Sequence, residues 1–378
     1  MARQQVRRRG FNRAVGIVIA CLVAPAVAGA DNLATDPKSV KLTISGHVAK
    51  AMMFADDGRT SRTMIVDNAN ETTRINLSAE AEINGDFTFG SQFEVEYPGN
   101  NASVVTLHEG NGDSNRPATF FGERKAEVFL GHKRFGKIWL GQGSISTDEI
   151  VQSDLSGTAV SGNYADAGVM GAAFLFYNKQ TQSWDGPAVG DVINSLNGNN
   201  DDRIRYDTPT IGGFFASAAF VSGGAADAAL RYAGKAGPFE LAASVGYLNL
   251  NGINATADNR VSGSASVLHE SGINLTIAGG RQQHKNAARS DGKSLYGKVG
   301  YIAKLFGVGP TAFGFDYGVY DDYGQNGDEA KQYSLGVVQH FEDIGSQIYV
   351  LGKTYELDRT NTSYDDIRLL MVGARIAF

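Results

Sequence analysis

The chain has one cysteine, Cys21, eight prolines and two tryptophans among 378 residues. A lone thiol cannot close a disulfide within the chain, and it leaves no thiolate cluster for zinc. Long apolar runs are missing too. Beyond residue 30 no stretch is apolar enough for a membrane-crossing helix. Six histidines are present, at His47, His108, His132, His269, His284 and His340. None falls in a metal-ligand spacing such as His-Glu-x-x-His, so a zinc hydrolase has no visible ligand set. The formal charge is −6. An acidic chain repels phosphate, which argues against nucleic acid as a partner.

The first 30 residues read as a secretory signal peptide. Arg3, Arg7, Arg8, Arg9 and Arg13 form a basic leader, Ala14 to Ala24 an apolar core, and Ala28-Gly29-Ala30 a small-residue cleavage site. Val18-Ile19-Ala20-Cys21 loosely resembles a lipoprotein box, which would leave a lipid on Cys21. The residues after it stay apolar up to the better site, so cleavage is expected after Ala30. Losing those five basic residues takes the charge from −6 to −11. The remaining chain, 31–378, has no cysteine.

What the sequence has in quantity is glycine (47), phenylalanine (20) and tyrosine (15), arranged with a period of two. Ile75, Leu77, Ala79, Ala81 and Ile83 share one face, and Arg74, Asn76, Ser78, Glu80 and Glu82 the other. Asn84-Gly85 follows, a strong hairpin signal. Sixteen such strands can be marked. Five precede a long irregular stretch: Val40–Phe54, Arg74–Ile83, Phe87–Tyr97, Phe121–His132 and Gly136–Gly143. Eleven more run from Arg203–Ile211 to Asp366–Phe378. Connections alternate short and long, with Asn84-Gly85-Asp86 and Gly237-Pro238 on one side, 57–73, 98–120 and 282–293 on the other. One face of each strand is apolar while the other carries ionic groups, which require water. This predicts an all-β fold, a transmembrane antiparallel β-barrel of 16 strands around a wet lumen.

The stretch 145–200, between strands 5 and 6, breaks the rhythm. It is too long for an idle connection and is expected to fold into the barrel as a constriction. Asp148, Glu149, Asp154 and Asp166 are its acidic candidates for the narrow section. Strand parity points Lys41, Arg74, Lys125, Arg203 and Arg205 inward as basic wall candidates. Opposed charges there would set selectivity. The apolar patch Val169 to Phe176 is either an extra hairpin strand or a segment packed on the wall. The last strand ends on Phe378, which resembles the assembly signal of outer-membrane proteins.

Together, Val40 to Val48, Trp139 to Ser144, Asp154-Leu155-Ser156-Gly157-Thr158, Asp201 to Pro209 and Phe378 resemble a Gram-negative general diffusion porin of the alphaproteobacterial, Rhodobacter-like kind. The resemblance implies a sixteen-stranded trimeric porin in the outer membrane, with its third outer loop folded inward. The 98–120 loop would be the arm that reaches a neighbour. The Pro-Glu-Phe-Gly-Gly motif of enteric porins is absent, so their eyelet residues have no counterparts here. The expected function is passive diffusion of small polar solutes and ions, weakly cation-preferring on the −11 charge, without catalysis or cofactor. The rivals are a substrate-specific channel for a sugar or an anion, a barrel enzyme and a closed structural barrel. Acidic pairs at Asp56-Asp57, Asp321-Asp322 and Asp365-Asp366 fall at the outer rim, where Ca2+ or Mg2+ could bridge them to lipopolysaccharide.

Overall fold

The computed structural model describes residues 40–97, 99–108, 121–165 and 170–378. The expected leader and most of the 98–120 arm lie outside these residues. The wall strands are β1 (Val40–Asp56), β2 in two pieces (β2a, Ser61–Asp67; β2b, Arg74–Asn84), β3 (Phe87–Glu96), β4 (Gly122–His132) and β5 (Gly136–Ser144). After the long loop come β6 (Asn200–Asp207), β7 (Phe214–Val221), β8 (Ala226–Ala236), β9 (Phe239–Asn249) and β10 (Ala257–His269). The ring continues through β11 (Ile273–His284), β12 (Gly292–Phe306), β13 (Gly309–Asp321), β14 (Asp328–Phe341), β15 (Ser346–Arg359) and β16 (Ile367–Ala377). Each pairs antiparallel with its neighbours, and β1 meets β16 from His47↔Ala377 to Asp56↔Arg368. That last ladder closes a sixteen-stranded barrel. Among the described residues helix is confined to short turns such as Val189–Val192, and no helix is long and apolar enough to cross a membrane.

The two faces of the wall differ as period two requires. Along β13, Phe315 and Tyr317 stand exposed while Ala312, Asp316 and Tyr320 are buried. Across the neighbouring ladders, Val299, Phe315 and Leu335 lie side by side in register, and all three point out. Exposed side chains on this face are apolar, which suits hydrocarbon. Inward positions carry Ser244, Ser264, Lys298, Asp316, Ser334 and Lys353. An apolar exterior and a polar interior are what a barrel in lipid demands, because no backbone edge is left to solvate.

Several expected boundaries move. The stretch 57–73, read as one outer loop, contains β2a, whose Met64 and Val66 are buried and whose Ile65 faces out. Strands expected to span 9 to 11 residues reach 15 in β12 and 14 in β14 and β15. Their upper ends are polar on both faces, as at Lys331 and Glu356 on the outer face and Gln332 on the inner, so alternation of hydrophobicity fades while the ladder continues. At the opposite end β6 stops at Asp207, short of the expected Ile211. Pro209 has no N–H to offer the ladder.

Phe315 lies at the middle of its strand on the lipid face. Phe315→Arg is expected to cost about 2–4 kcal/mol of folding stability, as a cation near the bilayer midplane does. Glu80→Arg, on the inner face, stays within about 0.5 kcal/mol of the parent. Reversible denaturation in lipid vesicles measures both.

Candidate functional site

Between Ile145 and Asn199 the described part of the chain leaves the wall and lies along the inner faces of β8 to β15. Its root is tied by Thr147, whose N–H and Oγ1 donate to Asp227 at 2.6 and 2.9 Å. The Arg231 guanidinium donates to the carbonyls of Ser146 and Asp148 at 2.8 and 2.6 Å. Further on, Leu155 N–H donates to Ser266 Oγ at 3.0 Å, and buried Lys298 pairs with Asp154. At the turn, the Asn163 amide donates to Asp316 (2.7 Å) and Ser334 Oγ (2.9 Å) and its oxygen accepts from Thr158 (2.7 Å). Lys353 donates to the carbonyl of Gly162 at 2.8 Å.

Glycines make room for this contact. A Cβ on Gly314 would sit 2.3 Å from Asn163 Oδ1, and one on Gly336 would sit 2.7 Å from Asn163 Cβ. Both glycines occupy inward positions, so the loop chain rests directly on the wall. The patch at 169–176 is no strand over its described part. Met170, Phe174 and Phe176 are buried against Tyr349, Leu351, Tyr355 and Leu369, and Tyr355 donates to the Met170 carbonyl at 2.6 Å. Beyond it the chain rises to the outer loops, where Lys179 N–H meets the Ser363 carbonyl at 2.9 Å and Trp184 Nε1 donates to Asp57 at 2.8 Å.

The loop's other edge borders a polar cavity of about 390 Å³. Asp148, Glu149 and Asp154 line it from the loop, and Arg74 and Arg124 from the wall. Glu149 is exposed and takes a left-handed backbone, φ 59°, which costs a non-glycine residue free energy and is common at functional positions. Burial, and then the adjacent Glu149 carboxylate, push the Asp148 carboxyl up to about 6. Asp154 is held by Lys298. Asp166 lies outside the described residues.

The basic candidates separate. Arg74 borders the cavity, 3.8 Å from both Glu71 and Glu94. Lys125 stands opposite Glu94 in register. Lys41 is exposed on the lower part of β1 opposite Glu80, and Lys41 does not line the cavity. Arg203 is buried and tied to Glu127 and to the Gly141 and Ser144 carbonyls. Arg205 donates to Asp207 at 2.7 Å and to Ser144 O at 3.1 Å. These two arginines hold the loop root. Alternation from Lys125 would turn Arg124 outward, yet it binds Glu94 (2.7 Å) and Glu96 (3.2 Å) within the lumen. The register slips between Glu94↔Lys125 and Val95↔Glu123, making Arg124 the extra residue of a bulge. Arg231, Lys298 and Lys353 were readable from inward parity but were not singled out.

Among the rim acids, Asp57 is fully buried and accepts from the N–H groups of Arg59 and Thr60 at 3.0 and 2.7 Å. Asp365 pairs with Arg59 at 2.9 Å and Lys179 at 3.0 Å. Among the described residues, no group of three or more His, Cys, Asp or Glu side chains is placed to hold a metal ion. Phe378 hydrogen-bonds Gly46 both ways, at 2.9 and 3.0 Å.

Gly336→Val is expected to push Asn163 off Asp316 and Ser334, destabilising the loop by about 1–3 kcal/mol through the buried groups left unpaired. Limited proteolysis should then cut within 145–199 while the barrel stays intact.

A family model described as Gram-negative porin matches residues 17–360. No curated protein sequence matches the chain. Among solved structures, the anion-selective porin from Comamonas acidovorans is 16% identical, with a TM-score of 0.58, over 90% of this chain and 100% of that one. Salmonella typhi OmpF in complex with daunomycin is 14% identical, TM-score 0.56, over 90% and 98%. In vitro folded OmpT of Vibrio cholerae, in its trimer form, is 12% identical, TM-score 0.56, over 90% and 100%. At these identities the likeness is one of fold. With the family match over most of its length, a closed barrel with apolar exterior and a polar lumen, the chain belongs to the Gram-negative porins, channels of the outer membrane.

Proposed function

We propose that the channel passes small polar solutes and ions by passive diffusion and weakly prefers cations, the long loop serving as its constriction. One observation carries the preference. Asp148 and Glu149 face the open cavity and form no salt bridge with any described residue, whereas the wall cations Arg74 and Arg124 are each offset by Glu71, Glu94 or Glu96. Net negative charge at a narrow wet section favours cations. A porin fold alone fixes no ion preference, since one structural neighbour is described as anion-selective. A sugar-passing channel is the second reading. It is favoured by the amides of Asn70, Gln152, Asn197, Asn199 and Asn200, which border the same cavity and match hydroxyl groups.

A homotrimer is inferred by analogy with OmpT, described in a trimer form, and cross-linking in detergent checks it. Export through the leader 1–30 accompanies this reading; N-terminal sequencing of the membrane-extracted protein should begin at Asp31. Lipopolysaccharide is the expected outer-leaflet partner.

Planar-bilayer recordings in a potassium chloride gradient test the reading. Stepwise conductance with a reversal potential on the cation side supports it, and anion preference or no conductance sinks it. Glu149→Gln should lower the cation-to-anion permeability ratio roughly two- to threefold, because a unit charge about 7 Å away in water acts with about RT. Asp148 has a pKa raised to about 6, so its charge is present above that pH and lost below. The preference should therefore weaken as pH falls from 7.5 to 5, and Asp148→Asn should flatten that dependence.

A further inference from the structure

The wall is interrupted between β2a and β2b. Both pieces of β2 pair with β1, β2a at Lys50↔Asp67 and β2b at His47↔Arg74. Between those two pairs β1 contributes only Val48 and Ala49, while its partner contributes the six residues 68–73. The surplus chain has to leave the ladder. It goes inward: the Asn68 amide donates to the Val160 carbonyl and to Tyr349 Oη, both at 2.7 Å, and Asn70 donates to the Ala159 carbonyl at 2.6 Å. All three acceptors belong to the inward loop or to the lumen side of β15. Asn68 Oδ1 accepts from the N–H groups of Asn70 and Glu71 at 2.8 and 2.9 Å, a turn that fixes where Glu71 points. Thr73 Oγ1 staples the far end by accepting from Ala49 N–H at 3.1 Å.

Asn70 and Glu71 line the same cavity as Asp148 and Glu149. The Glu71 carboxylate is set between two guanidiniums and an imidazole. It lies 3.4 Å from Arg375, 3.8 Å from Arg74 and 3.7 Å from His47 Nε2. Glu71 is partly open to the lumen, with 28% of its side chain exposed. Its carboxylate offsets the guanidiniums that would otherwise dominate this side of the passage.

We infer that residues 68–73 form a second edge of the constriction, where the wall meets the loop at Ala159 and Val160, and that Glu71 is a specificity-determining residue. Its charge masks Arg74 and Arg375, which lets the unpaired loop carboxylates set the preference. The inference rests on the channel reading above. It adds that ion selectivity is decided on both sides of the passage.

Reversal potentials of Glu71→Gln and Arg375→Gln test it, with heat-modifiable gel mobility reporting whether each barrel is folded. Glu71→Gln should lower the cation-to-anion permeability ratio roughly two- to threefold by unmasking the guanidiniums. Arg375→Gln should raise the ratio by a similar factor, and the double variant should return near the parent value. A purely structural Glu71 would change folded yield or thermal stability and leave the ratio unmoved. A conducting parent whose two single variants keep the parent ratio overturns the inference alone, while a parent that does not conduct counts against the channel reading itself. Should Glu71→Gln fail to fold, the Arg375→Gln ratio decides: a rise supports the inference and no change overturns it.

Discussion

In hydrocarbon every backbone N–H and C=O has to be paired within the protein, and the rest of this structure follows from that. The β1–β16 ladder meets the requirement by closing the sheet. Closure at sixteen strands creates a second problem, for a ring of that circumference is too wide to be filled by its own side chains. The chain fills it with itself. The described residues of 145–199 are laid on the inner wall, and a polar cavity lies between their acidic edge and Glu71, Arg74 and Arg124.

Two kinds of contact hold that loop. The first is polar, running from Asp227 through Lys298 to Asp316, Ser334 and Lys353. Each hydrogen bond contributes only about 0.5–1.5 kcal/mol net, but leaving a buried partner unpaired costs about 1–3 kcal/mol, so the set resists piecemeal loss. The second is apolar, with Met170, Phe174 and Phe176 seated among wall residues of β15 and β16. Glycines at inward positions let the side chains of Thr158, Ser161 and Asn163 approach the wall backbone between the two. A loop fastened in both ways is held against the barrel wall, and its edge displays Asp148 and Glu149, which form no salt bridge among the described residues.

Strand parity made most of the barrel legible in the sequence, because lipid outside and water inside impose a period of two on nearly every wall strand. The long loop stood out as a failure of that period. Parity misled where the ladder slips: Arg124 points inward only because of the bulge at Val95, and no local pattern announces an extra residue. The inward turn at 68–73 was hidden for the same reason, since Asn68 looks like any polar loop residue until Val160 and Tyr349 meet it. Nor does sequence say which charges pair. Asp154 and Glu149 read alike along the chain, yet Lys298, 144 residues from Asp154, neutralises only the first.

On the proposed reading, ions pass between the free edge of the loop and the facing wall. The described residues contain no cysteine, so a single thiol placed at Glu149 reports on that space. Single-channel current through the Glu149→Cys protein should drop in discrete steps when a bulky thiol-reactive reagent is added from the aqueous side. Current that stays unchanged after complete labelling would place the conducting path elsewhere and contradict the account.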